Sequence, residues 1–289
     1  MRALTRSAFL HRWGRHGWAV GLTALGLISA VLVALTPTFT GEDWNAIRHG
    51  AQLISSGQSP YLEPLYRWSP VAAWITVPLL VLPYGIWVAL HVAALALIRN
   101  PWVTLVALIS WPFWADAGVG NVVTFAVVAA LAALRGSRVG TWIYLLMFLL
   151  IPRPLTVPVA AWLLFKRPGL RLPFAAATAL TLLGALMTGY GIEWFGVLAH
   201  AGPVEIINPY QVGPSRLIGT LWVPLGLALA AVLTWRGRLG LAGLAASPYW
   251  LPYYLMYGLL ELDQDAISDL RRDSSAHESA AKWNSGAAP

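Results

Sequence analysis

Long apolar runs that end in single or paired basic residues recur from residue 17 to residue 260, and they constrain the fold more than any other feature of the chain. Only 11% of the residues are charged, whereas soluble domains carry about 25%. A backbone in lipid must satisfy its own hydrogen bonds, as helices and closed barrels do, and the alternation typical of barrel strands is absent from the sequence. The sequence therefore predicts an all-α protein, a polytopic bundle of transmembrane helices.

The distribution of charge and the lack of cysteine narrow the class of function. The formal net charge is +7, yet the basic residues stand at the ends of apolar runs rather than along one polar face. This distribution is typical of cytoplasmic loops and of contact with anionic lipid headgroups, and it argues against nucleic acid as a partner. The absence of cysteine excludes thiolate chemistry, and the six histidines lack paired ligand spacing, so we expect no metal site built by the protein.

The basic flanks also predict the topology. Residues 1–16 carry four arginines ahead of the apolar run 17–35, so we expect a retained anchor with a cytoplasmic N-terminus. The later basic loops, assigned to the same side, give about nine crossings of the plasma (inner) membrane. Three of the expected spans lie at residues 171–189, 217–234 and 239–260.

This topology divides the chain into a membrane domain and a tail. Residues 1–260 form the expected transmembrane domain, with outer loops at 37–69 and 190–216. Residues 261–289 are polar and poor in bulky apolar side chains, a composition typical of disordered segments. We expect the functional site on the outer side, where the two outer loops lie.

The first outer loop begins with two acids. Glu42 and Asp43 follow the first apolar run, and residues 44–56 repeat apolar side chains at helical spacing. We expect a short helix in the interface plane, with Asp43 as its N-cap and Gly57 as its C-terminal stop. Asp43 has two interpretations here: a helix cap and nothing more, or a functional acid at the outer surface.

Prolines and a polar turn interrupt the next apolar segments. The run from Val71 to Ile98 is too long for one straight span and too short for two, so its prolines predict one kinked or partly re-entrant span. Asp116 and Asn121 follow in a short outer turn. Asp116 is either a turn residue or a second acid that faces the same external cavity as Asp43.

A further break places an arginine at membrane depth. The 27 residues between Arg138 and Lys166 are interrupted by Pro152 and Pro154, and both flanks are basic. A hairpin with arms of about 13 residues reaches roughly 20 Å, less than the ~30 Å of the hydrocarbon core. Arg153 at its tip is therefore either a phosphate ligand or an arginine that reaches up to the outer headgroups.

These residues suit glycosyl transfer from a lipid phosphate. An acid such as Asp43 takes a proton from a hydroxyl nucleophile, and a fixed arginine such as Arg153 holds a phosphate and stabilises its charge as it leaves. Arg67 and Arg216 are further candidates for binding the phosphate. Candidates for contact with the sugar or the acceptor, some of which also suit an anchoring role at the interface, are Tyr61, Tyr66, Trp68, Asp116, Asn121 and Tyr210.

Several short motifs occur in a particular order along the chain. An acid follows the first span, a short helix ends in Gly-x-x-Pro-Tyr, and a Pro-Leu-x-x-Leu-Pro segment comes after an aromatic run. A proline-rich tip and a late Ser-Pro-Tyr follow further on. The motifs comprise Asp43, Gly57, Pro60, Tyr61, Tyr66, Trp68, Pro70, Pro78, Leu79, Leu82, Pro83, the run 151–155 and the run 247–249.

This order resembles the polyprenol-phosphate-mannose-dependent mannosyltransferases of the C-class membrane glycosyltransferases, over roughly residues 17–260. The resemblance implies a polyprenyl phosphosugar as donor, transfer on the extracytoplasmic side, and inversion at the anomeric carbon. It implies Asp43 as the general base, with Glu42 as the second candidate, and Arg153 as the donor-phosphate ligand. It fixes no cofactor, and a requirement for a divalent cation stays open.

The chain also departs from the family pattern. Pro152 stands where the family tip has a lysine, Ser69 stands in place of the first residue of a Pro-Pro pair, and the chain is short. The alternative is therefore a non-catalytic descendant of the same fold, a structural or assembly subunit of a larger membrane complex. A lipid or solute transporter with broken helices is the third hypothesis. The expected partners are membrane lipid, the polyprenyl-phosphate sugar and, for the alternative, other membrane protein subunits.

Overall fold

The computed structural model is all-helical in the part of the chain that it describes, as the sequence predicts, and that part contains no strand. The expected cytoplasmic segment 1–16, most of the anchor 17–35 and the tail beyond residue 263 lie outside it. The described residues are 21, 24–29, 31, 41–98, 100–206 and 210–263.

The predicted outer helix is present as α1 (Glu42–Ser55). It buries the apolar face expected from the spacing, and Gly57, at a φ of 76°, follows its end as predicted. The N-cap is Gly41 at a φ of 54°, which provides no side-chain cap. Asp43 is the second residue of the helix, so the prediction of Asp43 as the N-cap was wrong.

Prolines break the following apolar run as predicted. Helix α2 (Pro70–Thr76) continues as a 3₁₀ turn to Val81, and helix α3 (Tyr84–Leu95) then leaves at an angle of 110°. Ser69 caps α2, since its hydroxyl accepts a hydrogen bond from the backbone N–H of Ala72 at 3.1 Å. The bend turns the chain back before it has completed a straight span.

The centre of the fold is a helix enclosed by protein. Ten of the twelve residues of α6 (Val123–Leu134) are buried, and α7 (Arg138–Leu150) packs closely against it. A Cβ at Gly140 would lie 2.6 Å from the Cβ of Ala132, so this crossing needs glycine. The helices that pack against this pair include α3, α5 (Trp111–Val119) and α8 (Val157–Lys166), and α4 (Pro101–Ile109) packs against α5.

The C-terminal part supplies the long helices and ends in irregular structure. A 3₁₀ helix at Pro252–Gly258 follows the last of the longer helices and leads into the final short helix. The helices are α9 (Arg171–Met187), α10 (Gly191–Ile206), α11 (Ser215–Ile218), α12 (Trp222–Trp235), α13 (Leu239–Ala246) and α14 (Leu259–Leu262).

The described chain holds fewer candidate membrane spans than the sequence predicts. Two helical segments, Pro168–Met187 and Ser215–Trp235, are long and apolar enough to cross, and the bent pairs α2–α3 and α4–α5 raise the number to four. Nine crossings are not supported. Several apolar runs form helices too short to span: the 12 residues of α6 reach only about 18 Å. The expected span 239–260 ends its α-helix at Ala246, where a proline-rich segment begins.

Candidate functional site

Asp43 lies at the start of α1, partly buried, with its carboxylate directed at two neutral donors. The amide nitrogen Nδ2 of Asn121 donates to Oδ2 of Asp43 at 2.5 Å, and the hydroxyl of Tyr253 donates to the same oxygen at 3.4 Å. Both hydrogen bonds fall on Oδ2, and neither on Oδ1. Asp43 therefore contacts distant parts of the chain, and the interpretation of it as a helix cap was wrong.

Glycine allows Asn121 to reach Asp43. Gly120 ends α5 at a φ of 76°, and a Cβ there would lie 2.6 Å from the Cβ of Trp44 on α1. Its carbonyl accepts a hydrogen bond from Nε1 of Trp87 at 3.0 Å. The close approach of α5 to α1 thus places the residue after Gly120 next to the carboxylate.

Asn121 is held on its other side by a buried histidine. Nε2 of His91 lies 2.7 Å from the carbonyl oxygen of Asn121, and Nδ1 lies 2.9 Å from the carbonyl oxygen of Trp87. The Oδ1 atom of Asn121 accepts from the backbone N–H of Val122 at 2.6 Å. These bonds fix the amide with Nδ2 toward Asp43. His91 was not predicted as a site residue, because its only signal in the sequence is a polar residue within an apolar run.

Asp116 is a buried acid rather than a turn residue. It lies within α5, is fully buried, and accepts a hydrogen bond from the backbone N–H of Thr124 at 2.7 Å. Its Oδ2 is 3.7 Å from Nε2 of His91, while its Oδ1 has no partner in the described structure. The charges of Asp43 and Asp116 act on each other, but Asp116 is fully buried and therefore does not face an external cavity with Asp43.

Arg153 occupies the break between α7 and the next turn, as the sequence predicts. Its Nη1 atom is buried and has no hydrogen-bond partner within the described residues. The guanidinium carbon lies 5.7 Å from the centre of the Tyr254 ring. Beside it is a narrow, partly open cavity of about 10 Å³, which is room for about one water molecule, and its lining includes Val122, Arg153, Thr156 and Tyr257.

The structure brings Asp43 and Arg153 into electrostatic range. Burial raises the pKa of the Asp43 carboxyl above its ordinary value, and the hydrogen bond from Asn121 and the positive charge of Arg153 offset part of that rise. No ion pair joins the two side chains among the described residues. Asp43 is therefore a carboxylate held by neutral donors with a cation in its neighbourhood.

Four tyrosines lie near Arg153, and none of them was predicted as a site residue. They come from the proline-broken segment that was predicted as the last span, and Arg153 interacts electrostatically with each of them. The rings of Tyr253 and Tyr254 pack edge to face at 5.2 Å. Three of them recur at every fourth position, and the first two each directly follow a proline, a pattern that could have drawn attention: Tyr249, Tyr253 and Tyr257, with Tyr254 beside them.

The remaining predicted site residues differ in how far they are buried. Tyr66 and Trp68 are buried in an apolar cluster around α1, which leaves no ring face for a sugar. The hydroxyl of Tyr61 donates to the carbonyl of Trp68 at 3.0 Å. Glu42 and Arg216 are exposed, Tyr210 is 74% exposed, and Arg67 is partly buried.

Comparisons of the chain with protein-family models, with curated protein sequences and with solved structures found no match. Among the described residues, no group of three or more histidine, cysteine, aspartate or glutamate side chains is placed to hold a metal ion.

Proposed function

We propose that this chain is an integral-membrane glycosyltransferase that transfers a sugar from a polyprenyl-phosphate donor to an acceptor hydroxyl. The reaction takes place on the extracytoplasmic side and inverts the anomeric carbon. The observation that carries the proposal is the arrangement of Asp43 and Arg153. Tyr253 donates to the carboxylate and packs against Tyr254, whose ring faces the guanidinium. Nη1 of that guanidinium is buried and has no hydrogen-bond partner among the described residues.

The two groups divide the reaction between them. Asp43 takes the proton of the acceptor hydroxyl through Oδ1 while Asn121 and Tyr253 hold Oδ2. The acceptor oxygen bonds to the anomeric carbon, and the bond from that carbon to the phosphate oxygen breaks with its electron pair on the phosphate. Arg153 stabilises the negative charge that this step leaves on the phosphate.

Burial of Asp43 supports its role as a base. Because its pKa is raised above the ordinary value of a carboxyl, the ionised form is a stronger base than an exposed aspartate. Below that raised pKa Asp43 is protonated and inactive, and above it the carboxylate is available. Sugar transfer should therefore rise with pH across a window that begins above the ordinary aspartate range near 4.

The test is sugar transfer in proteoliposomes. Wild-type protein is supplied with a panel of radiolabelled polyprenyl-phosphate sugars, and the release of polyprenyl phosphate and the formation of a new glycoside are both measured. Asp43→Asn keeps the shape and the hydrogen bonds but loses the basicity, so transfer should fall by at least about 100-fold. Glu63→Gln, an acid paired with exposed His49, is the matched control and should retain transfer.

The outcomes separate the two acids of the loop. If transfer persists in Asp43→Asn, Asp43 is not the base. If transfer is lost in Glu42→Gln instead, the base is Glu42. Absence of release and transfer with every donor of the panel by well-folded wild-type protein contradicts the enzymatic proposal.

One observation favours the structural or assembly subunit as the second candidate. The two long candidate spans are each only 11% buried inside the chain, so most of their surface is available to lipid or to another membrane subunit. Under this hypothesis Asp43→Ser leaves function intact, and cross-linking in native membranes captures a stoichiometric partner along Pro168–Met187 or Ser215–Trp235. A cross-linked partner together with loss of function in Asp43→Ser would contradict a purely structural role.

A further inference from the structure

The hydroxyl of Tyr253 lies between the two groups of the proposed site. It donates to Oδ2 of Asp43 at 3.4 Å, and the positive charge of Arg153 also acts on it. Its ring packs against Tyr254, whose own ring faces the guanidinium of Arg153. Tyr253 thus contacts Asp43, the proposed base, directly, and it is linked to Arg153, the proposed phosphate ligand, through the ring of Tyr254.

The hydrogen bond from Tyr253 to Asp43 is long. Its 3.4 Å exceeds the usual distance of about 2.7–2.8 Å between two oxygens. A tyrosine hydroxyl has a single proton to donate. An anionic phosphate oxygen next to Arg153 would be a strong, charge-assisted acceptor, so a bound phosphate would compete with Asp43 for that proton.

The rest of the tyrosine segment is anchored elsewhere. The hydroxyl of Tyr257 lies 3.2 Å from that of Tyr144, which donates to the carbonyl of Thr156 at 2.9 Å. The hydroxyl of Tyr254 lies 3.5 Å from that of Tyr249. The 3₁₀ helix is therefore held by its neighbours, so a change of partner at Tyr253 has to come from its hydroxyl rather than from a shift of the helix.

We propose that Tyr253 is a ligand-binding residue whose hydroxyl turns from Asp43 to an anionic oxygen of a lipid phosphate when that phosphate binds Arg153. The inference rests on the proposed function and names a further contact for its donor. The ligand class is a monoester or diester of phosphate on a long isoprenoid chain.

The turn of the hydroxyl also changes Asp43. A hydrogen bond that a carboxylate accepts favours its charged form and weakens its basicity. When the hydroxyl of Tyr253 leaves for the phosphate, Asp43 keeps the bond from Asn121 and becomes a stronger base. Asp43 is thus a stronger base in the protein with bound donor than in the free protein.

Binding is tested without sugar transfer, by isothermal titration calorimetry of the full chain in detergent micelles. The probes are farnesyl phosphate, the uncharged farnesol, and inorganic phosphate. Tyr253→Phe should weaken binding of farnesyl phosphate about tenfold and leave binding of farnesol unchanged. Tyr144→Phe, which removes a buried hydroxyl bonded to a backbone carbonyl, is the matched control and should keep wild-type affinity for farnesyl phosphate.

Three results would overturn the inference. The first is unchanged affinity of Tyr253→Phe for farnesyl phosphate. The second is an equal loss of farnesol binding, because the change would then act on packing and not on the anion. The third is inorganic phosphate binding as tightly as farnesyl phosphate, which would make the ligand a free phosphate rather than a lipid.

A kinetic readout separates the contact from a structural effect. In active protein, Tyr253→Phe should move the acid limb of kcat/KM to higher pH, because free Asp43 loses a donor and its pKa rises. The acid limb of kcat should stay in place, since the hydroxyl has already left Asp43 in the complex. Phosphate affinity that depends on Tyr253 without any sugar transfer would refute the proposed function and leave this binding site standing.

Discussion

Arginine and carboxylate side chains lie near each other in two regions of the molecule. In one region they form direct ion pairs, and in the other they do not. In the paired region, Arg135 bonds directly to Asp263, and Glu261 accepts from the backbone N–H of Gly240 at 2.8 Å while lying 3.4 Å from Arg238. In the open region, formed by Asp43, Asn121, Arg153 and Tyr253, the acid is held by neutral donors, and one nitrogen of the cation has no partner in the part of the chain that the structure describes.

The difference indicates what each region is for. Direct pairs compensate their charges within the chain and connect the last short helix to the ends of α6 and α13. In the open region the desolvation of an acid and a cation is only partly compensated, and this lowers the free energy of unfolding of the protein. Such an arrangement is typical of sites where a ligand supplies the missing charge.

The largest expected effect is on the rate of sugar transfer, which we compare between variants of Arg153 and Arg238. Arg153→Gln should reduce sugar transfer by about 100-fold to 1,000-fold, because the leaving phosphate loses its cation. Arg238→Gln, the same substitution in the paired region, should leave the rate unchanged. The measurement is initial rate in proteoliposomes at matched protein content. Equal losses in both variants would remove the functional distinction between the regions.

The second prediction concerns stability in the paired region. Asp263 is 4% exposed, and Asp263→Asn leaves Arg135 without its anion, so the free energy of unfolding should fall by about 3 kcal/mol. Glu63→Gln, which breaks the exposed pair with His49, should cost less than about 1 kcal/mol. Unfolding by sodium dodecyl sulfate in mixed micelles gives both values. A negligible cost for Asp263→Asn would show that the paired region is not structural.

A third prediction uses two glycines with the same φ of 76°, Gly120 and Gly57. Gly120→Ala suffers backbone strain and a clash with Trp44 and should cost about 3 kcal/mol, whereas Gly57→Ala meets nothing within 4 Å and should cost about 1 kcal/mol. Thermal unfolding in detergent measures both. Because Gly120 places Asn121 against Asp43, only the first variant should also slow sugar transfer. Equal effects of the two substitutions would contradict the close approach of α5 to α1.

The smallest expected effect is a gain in stability. Burial raises the pKa of Asp43 in the folded protein, so its ionised form destabilises the native state as pH rises from about 4 through that raised pKa. Asp43→Asn should therefore melt higher than wild type at neutral pH, and the difference should vanish below about pH 4. Melting curves of both proteins from acid to neutral pH give the comparison. A variant that is less stable at neutral pH would mean that Asn121 and Arg153 outweigh the burial.

Local signals in the sequence predicted the elements that depend on nearby residues. The apolar spacing and Gly57 predicted α1, the prolines predicted the bend before α3, and Pro152 and Pro154 predicted the break that carries Arg153. These features arise from steric limits on the backbone that act within a few residues.

Contacts over long separations in the chain could not be predicted in the same way. Hydropathy does not distinguish α6, which is enclosed by protein, from α9, where Ala185 alone is buried; the count of crossings failed for this reason. The roles of His91 and Tyr253 depend on which carbonyl or carboxylate faces them. That is decided by the packing of separate helices, and a single residue type in an apolar run carries no such information.

The bond between Tyr253 and Asp43 joins residues 210 positions apart, and this separation has a consequence for how the protein is made. At about 10 residues per second, the acid leaves the ribosome roughly 20 s before the tyrosine does. During that interval the nascent chain contains its carboxylate without one of its two donors. The proposed site is thus completed only after most of the polypeptide has been synthesised, and a chain released before residue 253 lacks one of the two donors to Asp43.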